Sequence, residues 1–435
     1  MKAKRILIYF SIMIGMSLVF PAAAQNPPVV HPQIGAKLDA DSVCVTFTTR
    51  KQFFPGGAAE TQDEDVLSPK SVHIHPDGSK YYVNSLEGMR TVAFDFATGR
   101  KLKVIHHAFD STHLNLWAPE SGFFPFSYYY KEPGTFSGKP VESTFSHEGR
   151  YLWVPYYRRS YDINAQDPSA VAVIDTQRDT IVRIFETGPL PKMIATSPDG
   201  TRIAVSHWGD NTIGLLDISG DDVEAWHYIA CYTVDYKLKL NYSRTVPVNR
   251  DANSGYCLRG TVFTPDGRYL LVGCMGGTGG IAVIDLVQER YLGRILGMMS
   301  NLRHILLSGD YIYLSINNKG YVQRIPMRKI YDAIAALQPD TKTVQLNGWE
   351  SCKVPAGART IVASPDGRFI FAACNFSSKI AVVDTRTMTQ VGTLSADSYP
   401  VGLDISQDGQ WLFSTSQARP SGGGNAVDIF HIDYK

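Results

Sequence analysis

Between residues 68 and 434 the chain alternates short apolar runs with small polar turns, and one unit of this pattern recurs seven times. The marking turns read HPDG from His75, SHEG from Ser146, SPDG from Ser197, TPDG from Thr264, SGD from Ser308, SPDG from Ser364 and SQDG from Ser406. Each separates two apolar-rich stretches, as in IATSPDGTRIAVSHW at residues 194–208. Pro presets one backbone angle and Gly accepts the left-handed one, so Pro-Asp-Gly between apolar runs predicts a tight hairpin. A third strand follows and ends in Asp, as in VAVID at 171–175, IAVID at 281–285 and IAVVD at 380–384. A fourth completes the unit, as in IVRIF at 181–185.

Four short strands per repeat, with little helical periodicity outside residues 327–337, exclude a parallel α/β fold. They predict an all-β, seven-bladed β-propeller of four-stranded antiparallel blades. The seventh blade runs out of chain: after strands at 400–405, 410–415 and 426–432 only three residues remain. Its outer strand must come from elsewhere, and the lone strand-like segment VCVTFT at 43–48 is the expected donor, so that the N-terminal strand closes the last blade. This makes residues 43–435 one domain, preceded by an extension at 25–42.

With the turns and strands in place, the chain resembles the YVTN-repeat (YncE-like) propellers. The matching residues are KYYVNS at 80–85, the SPDG turns, and the VID-T endings at Asp175 and Asp384. The resemblance covers roughly residues 68–434 and implies the fold. For function it implies only a range, from binding proteins through lactonase-like enzymes to cofactor-carrying propellers. The motif's closing Asn is read here as replaced in other blades by Tyr156, His207, Cys274, Cys374 and Ser416.

In a four-stranded antiparallel blade, the first-to-second and third-to-fourth turns share one face of the disc. Those turns are short, whereas the long insertions at 49–67, 108–139, 157–168, 231–258 and 338–358 all fall on the other face. Loops on a rigid scaffold are where sites are built, so the decorated face is expected to carry the function. A column of residues points the same way. Five places before each turn's Ser, or its substitute, stand Lys70, Val141, Lys192, Arg259, Arg303, Arg359 and Val401. Five of these seven are basic, in a chain whose Lys and Arg number 42 of 435. The column opens the innermost strands and so predicts a basic ring at the mouth of the axial channel. Converging cations focus field, and arginine adds bidentate recognition of carboxylate or phosphate. The competing expectation is that each cation pairs with an Asp or Glu of its own or a neighbouring blade.

Candidate ligand-binding residues are therefore Lys70, Lys192, Arg259, Arg303 and Arg359, with Tyr156, Arg158 and Trp208 as aromatic and basic neighbours. The expected partner is an anionic small molecule, an acidic glycan or a protein at the funnel mouth. His207, His304 and Glu142 are candidates for proton transfer should the protein be a lactonase or lyase, and a His could also hold a flat tetrapyrrole. No paired metal-ligand spacing or CxxCH occurs, so no metal and no cofactor is expected. The aromatic stretch at 117–136 is read as a satellite core or as a stacking surface.

Net charge of +1 gives no overall pull toward nucleic acid, and none is expected as a specific partner. Residues 1–24 place Lys2, Lys4 and Arg5 before an apolar run at 6–20, then Ala22 and Ala24, which predicts a cleaved signal and a monomeric periplasmic or secreted protein. That run falls short of the roughly 18 to 20 residues that span a bilayer. In such a compartment Cys231 and Cys257, which bracket one insertion, are a candidate disulfide.

Overall fold

A computed structural model describes residues 29–54, 56–124, 136–159, 165, 167–239, 250, 253–419 and 422–435. The signal segment, most of the aromatic stretch, and parts of the insertions at 157–168 and 231–258 lie outside them.

The repeated turn closes through its own side chains. Asp199 accepts hydrogen bonds from Thr201 N (3.1 Å) and Ser197 Oγ (2.5 Å), and Ser197 Oγ accepts one from Arg202 N (2.9 Å). Gly200 takes φ +71°, which the turn requires and L side chains resist. Thr264, Ser364 and Ser406 repeat the hydroxyl-to-Asp bond in their own turns.

Seven antiparallel sheets result, each with four strands at its heart. Blade one is Pro69–Ile74, Lys80–Ser85, Arg90–Asp95 and Lys101–His106. Blade three is Pro191–Thr196, Arg202–His207, Thr212–Asp217 and His227–Thr233, and blade six repeats the order from Ala358–Ala363 to Thr389–Ser395. Each sheet is covered on both faces by its neighbours, which is why middle strands such as Pro168–Asp175 are buried at every position. Innermost strands pack against one another around the ring, and blade one meets blade seven.

The expected ring closure is present. Val43–Gln52 lies antiparallel to Ala426–Tyr434, from Val43 opposite Tyr434 to Gln52 opposite Ala426. The strand is longer than predicted, continuing to Gln52 through a bulge after Phe47, and Lys37–Asp39 adds a further edge strand. Val43, Val45 and Phe47 then bury against Phe369, Phe371 and Phe430 between blades six and seven.

The helix predicted at 327–337 forms at Met327–Ala335, inside the excursion that precedes blade five's outer strand, Glu350–Lys353; residues 327–349 therefore join third strand to fourth on the short-turn face, and most of the insertion at 338–358 does not decorate the other face as expected. On the way, Thr343–Gln345 adds in parallel to the edge of blade four, which the strand pattern did not foretell. No helix among the described residues is long and apolar enough to cross a membrane.

Candidate functional site

The basic column is aimed by a repeated irregularity. In blade one Pro69 pairs with Ser85 and Ser71 with Asn84, so Lys70 is the extra residue of a β-bulge. Lys192 in blade three, Arg303 in blade five and Val401 in blade seven are extra in the same way. In blades four and six two residues face one, Arg259–Gly260 and Arg359–Thr360. A bulge re-aims the side chain it carries. Two positions earlier each of these strands holds a left-handed residue: Ser68, Leu190, Cys257, Asn301, Gly357 and Tyr399.

Backbone carbonyls of the column are then gripped by hydroxyl and amide groups. Val141 O accepts from Ser71 Oγ (2.5 Å) and Asn84 Nδ2 (3.0 Å). Arg259 O accepts from Thr261 Oγ1 (2.7 Å) and Ser206 Oγ (3.4 Å), Arg359 O from Ser315 Oγ, and Val401 O from Thr360 Oγ1 (2.6 Å). All but the Thr261 bond cross from one blade to the next. They also correct the motif column. Asn84 pairs with Ser71, and its counterparts are Ser206, Ser315 and Thr415, whereas Tyr156, His207, Cys274, Cys374 and Ser416 correspond to Ser85. Counting to the strand end overshoots by one because each strand runs one residue past the motif Asn.

Lys70, Arg259, Arg303 and Arg359 come together. Burial, then repulsion from Arg359 and Arg259, holds both the Lys70 ammonium and the Arg303 guanidinium well below their ordinary values. Burial and Arg359 push Arg259 down to about 10. Arg359 is also lowered by burial, against the opposing pull of Tyr399 and Glu142. Glu142 is the carboxylate that acts on this group, and its Oε1 lies 3.8 Å from Arg259 Nη2. Among the described residues no other carboxylate lies within 4.0 Å of these four cations. Arg303 Nη1 instead reaches Met275 Sδ at 3.2 Å, and Nε of Arg259, Arg303 and Arg359 is buried without a hydrogen-bond partner. Cations left this way are costly unless a counter-charge arrives.

Other candidates are placed differently. Lys192 lies over the rings of Tyr157 (3.6 Å) and Trp208 (4.6 Å), and Arg158 over Tyr157 (5.0 Å). Tyr156, expected near the ring, is instead buried over Gly138 with its hydroxyl on His107 Nδ1 (2.9 Å), because its position in the strand turns it into the wedge between blades one and two. His207 is fully buried: Nε2 accepts from Gly188 N (3.2 Å), so Nδ1 carries the proton and donates to Thr212 Oγ1 (2.8 Å). Burial pushes the imidazole down to about 3, and neither nitrogen remains for acid–base work or for a haem iron. Thr212 in turn donates to Asp210, whose carboxyl burial pushes up to about 6. His304 Nδ1 accepts from Ile361 N (3.4 Å), and burial pushes that ring to about 4.

The candidate Cys231–Cys257 disulfide is not formed. Cys231 lies on the outer strand of blade three and Cys257 just before the inner strand of blade four, so bracketing an insertion does not bring them together. Of the aromatic stretch, Phe124 packs on His207 (5.1 Å) and Tyr228 (4.9 Å), as a satellite core would.

The sequence did not single out Tyr399, Arg419 or Met275. Tyr399 acts electrostatically on Arg359, Arg259 and Arg303, and the Arg419 guanidinium sits 3.2 Å from its ring centroid. The one available signal for Tyr399 was its place two residues before the column. Clefts elsewhere, of about 560 and 600 Å³ between the short turns of the opposite face, hold none of the candidates.

No family model matches the chain. It is 25% identical over 251 residues to hydrazine synthase subunit beta of Kuenenia stuttgartiensis, spanning 50% of this chain and 59% of that protein. It is 27% identical over 201 residues to antigen Lp49 of Leptospira interrogans, spanning 41% of this chain and 39% of that one. The match thus covers less than two thirds of either relative. Among solved structures, Kuenenia stuttgartiensis hydrazine synthase aligns with TM-score 0.58 at 15% identity over 87% of this chain and 98% of its own. The Swd1 (Cps50) propeller domain of Myceliophteria thermophila aligns with TM-score 0.57 at 13% identity over 84% and 96%. At such identities the likeness carries architecture alone, and with the seven sheets described above it establishes this chain as a seven-bladed β-propeller.

Proposed function

We propose that this propeller is a binding protein whose ligand is an anion seated in the basic funnel of the decorated face. The observation that carries the reading is the convergence of Lys70, Arg259, Arg303 and Arg359 around a single carboxylate, with three buried guanidinium Nε groups unpartnered. Had each cation been paired with its own Asp or Glu, the column would be read as scaffold. The leader pattern at 1–24 supports placing it outside the cytoplasm, in the periplasm or secreted.

Calorimetric titration with formate, sulfate and malonate tests the site. Wild type should bind from this panel, and the combined substitution R259M/R303M/R359M should weaken binding by about a hundredfold or more with the circular dichroism of a folded propeller retained. Unchanged affinity in the folded triple variant would reject the site. The rival reading, a lactonase or lyase, draws on one observation: Glu142 acts electrostatically on both His304 and His73 across the funnel. Lactone turnover abolished by Glu142→Gln would favour it.

A further inference from the structure

The funnel cations outnumber the one carboxylate among them by two or three charges, depending on whether Lys70 holds its proton. They are also unevenly placed. Arg259, Arg303 and Arg359 come from three consecutive blades, four to six, and Lys70 from blade one, while Glu142 stands on blade two. Of the three remaining column positions, Lys192 lies over the rings of Tyr157 and Trp208, while Val141 and Val401 are buried and apolar and offer an incoming ligand neither charge nor hydrogen bond.

Resting on the anion-binding reading above, we propose that the funnel takes a compact anion bearing two or more negative charges, a sulfate or phosphate-ester head or a dicarboxylate, and discriminates against monoanions. The donor count is the first reason. One planar guanidinium saturates the two oxygens of a monocarboxylate through a bidentate fork. Three such groups, each with a buried Nε lacking a partner, supply donors for a ligand with more oxygens. The charge count is the second. In a partly buried site a monoanion would leave cations still facing one another, whereas a dianion removes most of that repulsion. Glu142, beside Arg259, repels an anion from the blade-two side and directs it toward blades four to six.

A consequence follows for Lys70. The charged and titratable groups around it are Arg259, Arg303, Arg359 and Glu142. Its own strand adds His73, and blade seven adds Tyr399 and Asp404, whose carboxylate bonds Ile74 N. A multiply charged anion offsets the three guanidinium neighbours and so raises the lowered Lys70 value back toward the ordinary one, which links binding to proton uptake at this residue.

The test is calorimetry on the whole protein with sulfate, malonate and formate, repeated in two buffers of different ionisation enthalpy from pH about 6 to about 9. Sulfate or malonate should bind at least about tenfold tighter than formate, the tighter of the two telling a tetrahedral head from a dicarboxylate. Sulfate does not titrate in this range, so its affinity should fall with rising pH, by up to about tenfold per unit, with proton uptake. The Lys70→Met variant, which replaces a buried ionisable side chain by an apolar one of similar length, should fold, bind more weakly, and lose the pH slope. Formate binding as tightly as sulfate and malonate would overturn this inference while leaving an anion site. Failure of all three to bind would overturn the anion reading itself. A pH slope undiminished in Lys70→Met would remove Lys70 as the proton acceptor.

Discussion

At the scale of single residues, burial rather than pairing sets the unusual side chains of the channel. Asp404, on the innermost strand of blade seven, accepts hydrogen bonds from Ile74 N (2.7 Å) and Ile405 N (2.9 Å), yet burial pushes its carboxyl up to about 7. A carboxyl raised in the folded state contributes stability that is complete below its unfolded value and is lost as pH rises through about 7. Asp404→Asn keeps an acceptor for Ile74 N and does not titrate. Wild type should therefore lose about 2 kcal/mol relative to Asp404→Asn between pH ~5 and ~8, less than the full linkage because the side chain keeps some exposure. Urea melts at the two pH values measure the difference, and parallel curves would refute the assignment. His207 shows the limit of reading a residue by its type. The histidine was visible as a candidate, but the backbone N–H and hydroxyl that occupy it come from Gly188 and Thr212, and only folding brings Gly188 to the ring.

At the scale of the element, the decisive device is the bulge that opens six of the seven innermost strands. The turn lies at a constant offset from the column, which is why the basic positions could be lined up from sequence. The pairing that makes each of them an extra residue could not, because register is a relation between strands. The hydroxyl grips depend on that register too. Ser315 Oγ donates to Arg359 O in the next blade and accepts from His304 N (3.0 Å). Ser315→Ala should cost about 1–3 kcal/mol by leaving a buried carbonyl and an amide short of partners. It should also weaken sulfate binding, since Arg359 loses the bond that fixes its backbone. Chemical denaturation and calorimetry on the same variant check both, and an unaltered stability would contradict the grip. Tyr156 illustrates the converse: its height along the strand was legible, but which flank of the blade it faces was not.

Across the whole molecule, the turn aspartates and the basic column stand at opposite ends of the innermost strands. Asp77, Asp199, Asp266, Asp366 and Asp408 occupy the inner turns of one face, and the basic column opens the other. The ring itself is locked by the N-terminal strand, where Arg50 Nε bonds Asp428 Oδ1 (2.7 Å) and Nη2 lies 3.5 Å from Asp397 Oδ2. Both carboxylates are fully buried, and although His31 still reaches Asp397, Arg50→Met leaves Asp428 without its cation and should cost about 3–5 kcal/mol, lowering the melting temperature of the whole ring in one transition. A melt indistinguishable from wild type would show that closure does not depend on this clasp.

Seven turn signals, period-two strands and the shortage of chain in the last repeat were enough, without coordinates, to specify the propeller, its closing strand and the basic column. These are local or additive properties: turn chemistry, alternation and counting. What the tertiary structure alone decided was which cations meet. Lys70, Arg259, Arg303 and Arg359, spread over nearly 300 positions of chain, share one funnel, Lys192 settles on Tyr157 and Trp208, and Tyr399 and Arg419 join unannounced. Mutual repulsion, burial and the shortage of counter-ions, with Glu142 alone among four cations, depend on distances between side chains of different blades, and those distances exist only once the ring has closed.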